Sequence, residues 1–273
     1  MNEVVAALRP RSTLGVIDDA VALVRRRWSD VLPLTAMSFA LVVFYNVTTS
    51  LGQASDGAVF TDPGVLFDTL GITGDGSASD TQVFLTLLLG SLGHAALVVS
   101  MTRVVLNEVV GRDEDPLAVW GRTVRSSPRW LVTWFVSRLA YLVGILFLGV
   151  GLVIAWLMFW TALPAASAEE TGAIGALRRS RELTKGMRGR LFGLAVGAWL
   201  VITILRWALL LLPGQIASQL ADGEVLTYVV LAITTATLLL TEAIWATIVA
   251  ISYLDLRSRK EGLDLDLRVR ALS

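Results

Sequence analysis

Long apolar runs separated by short basic segments organise the chain. A bilayer span needs about 20 mostly apolar residues. Runs over 31–50, 83–106, 191–212 and 225–252 meet that length. A further stretch, 131–168, is too long for a single helix, even a strongly tilted one. Gly144, Gly149 and Gly151 lie near its middle, so it reads as a helical hairpin with spans over 131–148 and 152–168. Pro213-Gly214 is a breaker pair that should close the fifth run. The pattern predicts an all-α, polytopic membrane protein with six transmembrane helices.

The segments before the odd-numbered runs have a different period. Apolar residues at 17, 21, 24 and 28 fit one helical face, as do 117, 120 and 124. The third segment starts at Ile174 and holds Leu177 before an arginine-rich stretch. These predict interfacial amphipathic helices on the cytoplasmic side. Two readings of the arrangement stand side by side. It is either a threefold repeat of interfacial helix, outward span and inward span, or the basic flank that any helix carries on entering a membrane. The tail alternates instead: Leu263, Leu265, Leu267 and Val269 against Asp264, Asp266, Arg268 and Arg270. Period two is a strand signature, and here it fits either a disordered tail or a strand added to a partner.

Domain boundaries follow from these runs. Residues 1–30 are a cytoplasmic N-terminus with an interfacial helix, 31–252 the membrane domain, and 253–273 a cytoplasmic tail. Residues 51–80 form an outer loop, and 107–130 and 169–190 form inner loops. The first 30 residues lack an apolar core followed by a small-residue cleavage site, so the first span reads as an anchor. The sequon Asn46-Val47-Thr48 falls inside that span and carries little weight.

Composition agrees with the pattern. The 273 residues are 55% hydrophobic and 17% charged, with a mean hydropathy of +0.67. An average soluble domain is about 45–50% apolar and about 25% charged. Lys plus Arg is 23 and Asp plus Glu is 23. That balance excludes a globally basic, nucleic-acid-binding surface. With no cysteine and one histidine, thiolate chemistry and most zinc or histidine catalysis drop out.

The charges are sorted by position. With both termini cytoplasmic, 20 of the 23 cations fall in inner segments and none in outer loops. The outer loops hold Asp56, Asp62, Asp68, Asp75, Asp80, Asp222 and Glu224. This is the positive-inside pattern of a multi-pass protein of a bacterial cytoplasmic membrane. Trp28, Trp130, Trp134, Trp160 and Tyr253 fall near the inner boundary, and Tyr45, Trp207 and Tyr228 near the outer one, as aromatic belts would. Only two cations are lysines, a bias that fits a high-GC bacterium.

One stretch carries a family resemblance. Leu163-Pro164 through Glu169 and Gly172, then Ala176-Leu177-Arg178-Arg179-Ser180, then Leu183-Thr184-Lys185-Gly186 resembles a bacterial six-helix membrane family. It is the membrane domain fused to some glycerophosphoryl diester phosphodiesterases, and it also stands alone in actinobacteria. The ending from Tyr253 through Asp255, Arg257 and Gly262 is similar to those stand-alone members. The resemblance implies fold and location only. The catalytic part of the fusions is a barrel of about 250 residues, for which the spans leave no room.

The candidate sites are of two kinds. Ionisable groups inside a bilayer are costly and therefore functional candidates. These are Glu242, His94, Arg206 and Arg138, with Thr235 on a polar stripe that also holds Thr234, Thr237 and Thr241. Pairing Glu242 with Arg206, Arg138 or His94 would lower the cost of each charge. Gly189, Gly193 and Gly197 recur every four residues and predict close helix approach, either inside the bundle or between two copies of the chain. The second kind is basic: Arg25, Arg26, Arg27, Arg178, Arg179, Arg181 and Lys185 are candidates for anionic lipid headgroups. No Walker loop, G-x-S-x-G or H-E-x-x-H motif is present, and the acidic outer loop lacks the spacing of a calcium ladder. No catalytic, cofactor or metal residue is therefore expected. The leading expectation is a non-enzymatic scaffold or accessory subunit contacting anionic lipid or a membrane or cytoplasmic protein partner. The alternatives are a transporter or lipid-handling protein using the stripe around Glu242, and an intramembrane enzyme built on Glu242 and His94.

Overall fold

The computed structural model describes residues 11–53, 80–147, 149–169, 171–220 and 223–262, and they contain no strand. In chain order the helices are α1 (Thr13–Arg26), α2 (Trp28–Gln53), α3 (Asp80–Val110), α4 (Pro116–Arg125) and α5 (Ser127–Ile145). They continue with α6 (Val150–Met158), α7 (Ala162–Ala168), α8 (Ala173–Thr184), α9 (Arg188–Leu220) and α10 (Gly223–Glu261). Five helical stretches among the described residues are long and apolar enough to cross a membrane: Trp28–Tyr45, Phe84–Val110, Val150–Ala168, Arg188–Leu210 and Tyr228–Glu261. The loop over 54–79 and the alternating tail from 263 lie outside the described residues.

Local chemistry explains most of the boundaries. The Ser12 side chain accepts from Gly15 N at 3.0 Å and caps α1. Pro116 opens α4, where its missing N–H costs nothing. The hairpin expected within 131–168 is present as α5 and α6. Gly149 takes φ +77° at the turn, a conformation that glycine adopts without strain. A Cβ on Gly144 would lie 2.7 Å from the Gly151 carbonyl carbon, so the two helices meet backbone to backbone.

Two expectations about helix ends are corrected. Pro213-Gly214 does not close the fifth helix, because α9 runs through it to Leu220. Proline removes one backbone bond without ending a long apolar helix. The last helix also runs past the expected end of the sixth run at 252: α10 continues to Glu261, with Tyr253, Leu254 and Leu256 buried.

The short helices also turn differently from the apolar periodicity. On α4 the buried residues are Val119 and Thr123, while Leu117 is 62% and Val124 52% exposed. On α1 Val16, Ile17, Ala20, Leu23 and Val24 are buried, whereas Val21 is exposed, as is Trp28 at the start of α2. On α8 Ala176, Leu177, Ser180, Leu183 and Thr184 are buried, and Ile174 is exposed. The inner faces hold alanines and hydroxyl residues that pack closely. Several larger apolar side chains point outward instead, as they can in a protein whose surroundings are partly apolar.

The chain forms two compact units: Met1–Thr35, Ala95–Leu200 and Ala243–Ser273 in the first, Ala36–His94 and Val201–Glu242 in the second. In the first, Ala95, Ala96 and Val99 of α3 pack with Trp130 of α5. Trp130 Nε1 donates to Thr123 O at 2.9 Å, and the Ser100 and Thr123 hydroxyls are 3.0 Å apart. Trp160 stacks edge-on between Trp156 and Trp245 and donates to Ser252 Oγ at 2.7 Å. Trp130, Trp160 and Tyr253 are thus buried and do not form an interfacial belt. In the second unit Gly93 of α3 lies against α2, where an added Cβ would be 2.7 Å from Ser38 O.

Candidate functional site

The Gly93 contact places the next residue of α3, His94, among polar side chains of α9 and α10. His94 Nδ1 lies 2.9 Å from Glu242 Oε2. Arg206 Nη2 donates to Glu242 Oε1 at 3.0 Å, and Arg206 Nε donates to Thr241 Oγ1 at 3.0 Å. Thr241 in turn donates to Thr237 O at 2.8 Å. A carboxylate only accepts, so the His94 proton sits on Nδ1. Both oxygens of Glu242 therefore have partners on other helices. Of the expected polar residues, His94, Arg206 and Glu242 meet. Thr235 does not join them; Thr241 occupies the position that touches Arg206. Arg138 belongs to the other unit, where its guanidinium lies 5.2 Å from the Tyr141 ring centroid.

The expectation of close packing inside the bundle is corrected at two of the three glycines of α9. A Cβ on Gly189 or Gly193 would meet nothing within 4 Å. Only Gly197 faces a neighbour, with Ile17 Cδ1 at 3.5 Å from that position. The close approaches are at Gly93, Gly144 and Gly151 instead.

The basic candidates divide sharply. Arg26 and Arg27 each bond Glu108 at 2.9 Å, and Arg27 also meets Asp113 and, at 3.3 Å, Asp30. Hydrogen bonds to Asp113 and Glu108 raise the Arg27 pKa against the opposing effect of burial. Arg178 pairs with Glu182 at 3.0 Å. Arg179 pairs with Glu169 at 2.8 Å and with Glu261; burial lowers its pKa, but the two carboxylates outweigh burial and raise it. These four cations are held by the protein's own carboxylates. Arg25, Arg181 and Lys185 are exposed, and no carboxylate among the described residues pairs with them. Arg188, absent from the sequence-based set, is half-buried and likewise has no carboxylate partner among the described residues.

Several organising residues carry the resemblance but were not among the site candidates. Asp255 is only 3% exposed, yet it accepts from the Arg11 amide at 2.8 Å and from Arg190 and Arg259 at 3.0 Å each. Glu169 binds both Arg179 and the Tyr253 hydroxyl, the latter at 2.8 Å. The resemblance-bearing stretch receives a structural role. The helix breaks between Met158 and Ala162, which frees backbone groups. Ser180 Oγ donates to Met158 O at 2.9 Å and accepts from Thr161 N at 3.2 Å; Thr184 Oγ1 donates to Met158 O at 3.3 Å. Hydroxyls of α8 thus replace the lost helical bonds. A serine and threonine four apart on a basic segment are the signal that could have revealed this.

One cleft of about 430 Å³ is lined by Arg181, Lys185, Gly186, Arg188 and Gly189. Among the described residues, no group of three or more histidine and carboxylate side chains could hold a metal. No family model, no curated protein and no solved structure matches the chain.

Proposed function

We propose that this is a non-enzymatic, six-span integral membrane protein of a bacterial cytoplasmic membrane, with both termini cytoplasmic. Its short basic helices hold anionic lipid headgroups, and it acts there as a scaffold or accessory subunit. We count α5 as the sixth span because it forms a close hairpin with α6, meeting it backbone to backbone at Gly144 and Gly151. The six-helix resemblance supports the same count.

The carrying observation is the division among the cations. Arg25 on α1, Arg125 and Arg129 at the α4–α5 junction, Arg181 on α8 and Lys185 just past its end are exposed and without carboxylate partners among the described residues. Their neighbours on the same segments are neutralised. If these arginines served topology alone, nothing would distinguish paired from unpaired ones. A row of free cations at the ends of apolar helices attracts anionic lipid at about 1 kcal/mol per residue. The triad around Glu242 favours a structural part over a transport path, since both carboxylate oxygens of Glu242 are already taken by side chains of other helices.

The test is lipid enrichment around the purified protein in nanodiscs of mixed zwitterionic and anionic lipid, read by mass spectrometry. Enrichment of anionic lipid that falls when Arg25, Arg125, Arg129, Arg181 and Lys185 are changed to Gln supports the proposal. Equal composition inside and outside the annulus would overturn it.

A further inference from the structure

Resting on that lipid-contact reading, we infer that the cleft at the α8–α9 junction is a receptor for one phosphomonoester lipid, with the phosphate in the cleft and an acyl chain along α9. The junction is built to gather cations. Lys185 leaves α8 in an extended conformation, and Gly186 takes φ +82°, a left-handed geometry that side chains other than glycine resist. The chain therefore leaves one helix and starts α9 at Arg188 within three residues. Arg181, Lys185 and Arg188 end up around the same cleft of about 430 Å³.

The cations there are uncompensated. Glu182, the acid closest in sequence, is engaged by Arg178 at 3.0 Å. Arg188 Nε is shielded from solvent and has no hydrogen-bond partner. Lys260 stands behind the loop, donating to Lys185 O at 2.7 Å and to Glu182 O, so the carbonyls at the end of α8 are already occupied by a cation. The first-turn amides of α9 add donors and a favourable dipole for an anion. A Cβ at Gly186 or Gly189 would meet nothing, so backbone at both positions is open to a ligand. Three cations match a phosphomonoester of roughly two negative charges better than a diester of one. The arginine forks suit its terminal oxygens.

The surface beyond the cleft selects a lipid over a soluble phosphate. Gly189, Phe192, Gly193, Val196 and Leu200 share one face of α9 at helical spacing. Gly189 and Gly193 leave a groove with nothing against it, and Phe192, Val196 and Leu200 beside it are exposed. This gives the two unpacked glycines a use: a shallow apolar channel continuous with the phosphate cleft.

Native mass spectrometry of the full-length protein tests the inference, with phosphatidic acid as the phosphomonoester probe and phosphatidylglycerol as the diester. The expected result is one bound phosphatidic acid, preferred about tenfold over phosphatidylglycerol, with about a tenfold loss for each of Arg181→Ala, Lys185→Ala and Arg188→Ala. Gly193→Leu, which fills the groove without altering charge, should also release the lipid; an unchanged unfolding midpoint shows that each variant is folded. Competition by soluble glycerol phosphate as strong as by the lipid would overturn the lipid assignment. Equal binding of both lipids, or undiminished binding in the three cleft variants, would overturn the site while leaving general anionic-lipid contact standing. Failure of both anionic lipids to exceed phosphatidylcholine would remove the underlying reading as well.

Discussion

The Glu242 triad and the α8–α9 cleft use the same kinds of side chain in opposite ways. In the triad, Arg206 and His94 close on one carboxylate, and every charge is answered within the protein. In the cleft, Arg181, Lys185 and Arg188 converge with no carboxylate among the described residues to answer them. A buried charge must be compensated on folding, so the triad belongs to the fold. Cations left open at a polar boundary cost little to keep and remain available to a ligand. The comparison separates ionic groups that hold helices together from ionic groups that hold something else.

The largest expected effect breaks the triad. Glu242→Leu leaves Arg206 without its carboxylate among apolar helices and should destabilise by about 3 kcal/mol, the low end of the cost of breaking a buried pair, because both side chains are only partly buried. Thermal unfolding in a neutral detergent measures it. Changing Glu242 and Arg206 together to Leu should recover much of that loss, because no charge is then left unanswered. If the single variant unfolds like the parent protein, the triad is not structural.

A smaller effect tests how the triad is positioned. Gly93→Ala places a Cβ 2.7 Å from Ser38 O, which must move. Overpacking of this kind costs about 1–3 kcal/mol. The same unfolding measurement should show it. Gly189→Ala, with nothing within 4 Å of its added Cβ, should give no comparable loss. Equal shifts for the two glycines would mean that close approach does not distinguish them.

Much of the helical plan was legible in the sequence, and the reason is physical. Apolar runs of bilayer length have few alternatives to helix, and the hairpin announced itself through Gly144, Gly149 and Gly151. Pairing was harder to read. Glu242 and His94 lie at similar depth by helical rise, which suggested the bond that forms. Choosing Thr241 over Thr235 required the rotation of α10, which periodicity does not supply. The same limit misjudged α4, where an apolar stripe at Leu117 and Val124 faces outward while Thr123 is buried. Glycines spaced by four along α9 looked like packing, but spacing carries no information about whether a neighbour is present. The basic residues were all equivalent in sequence. Glu182, four residues after Arg178, and Asp30, three after Arg27, are local partners, but Glu108, Glu169 and Glu261 come from distant segments, and only the fold assigns those pairs.

The first unit offers a milder perturbation of the same kind. Trp130→Phe keeps the ring buried but removes the Nε1 bond to Thr123 O. That carbonyl still accepts from Ser126 Oγ at 3.0 Å, so the loss should be about 1 kcal/mol. A loss as large as that of Glu242→Leu would show that neutral hydrogen bonds matter here as much as charge.

The smallest effect on stability sharpens the comparison most. Arg181 is exposed and has no carboxylate partner among the described residues, so Arg181→Ala should stay within about 0.5 kcal/mol of the parent in neutral detergent. Arg178→Ala should do the same, because an exposed pair at this spacing is worth only a few tenths of a kcal/mol. The two variants then part when phosphatidic acid is added. A ligand that binds only the folded state raises the midpoint, and that rise should be lost in Arg181→Ala and kept in Arg178→Ala. If Arg181→Ala were instead as destabilising as Trp130→Phe without lipid, Arg181 would be part of the fold, like Arg206. Stability unchanged and lipid response abolished is the combination that only an open cation can produce.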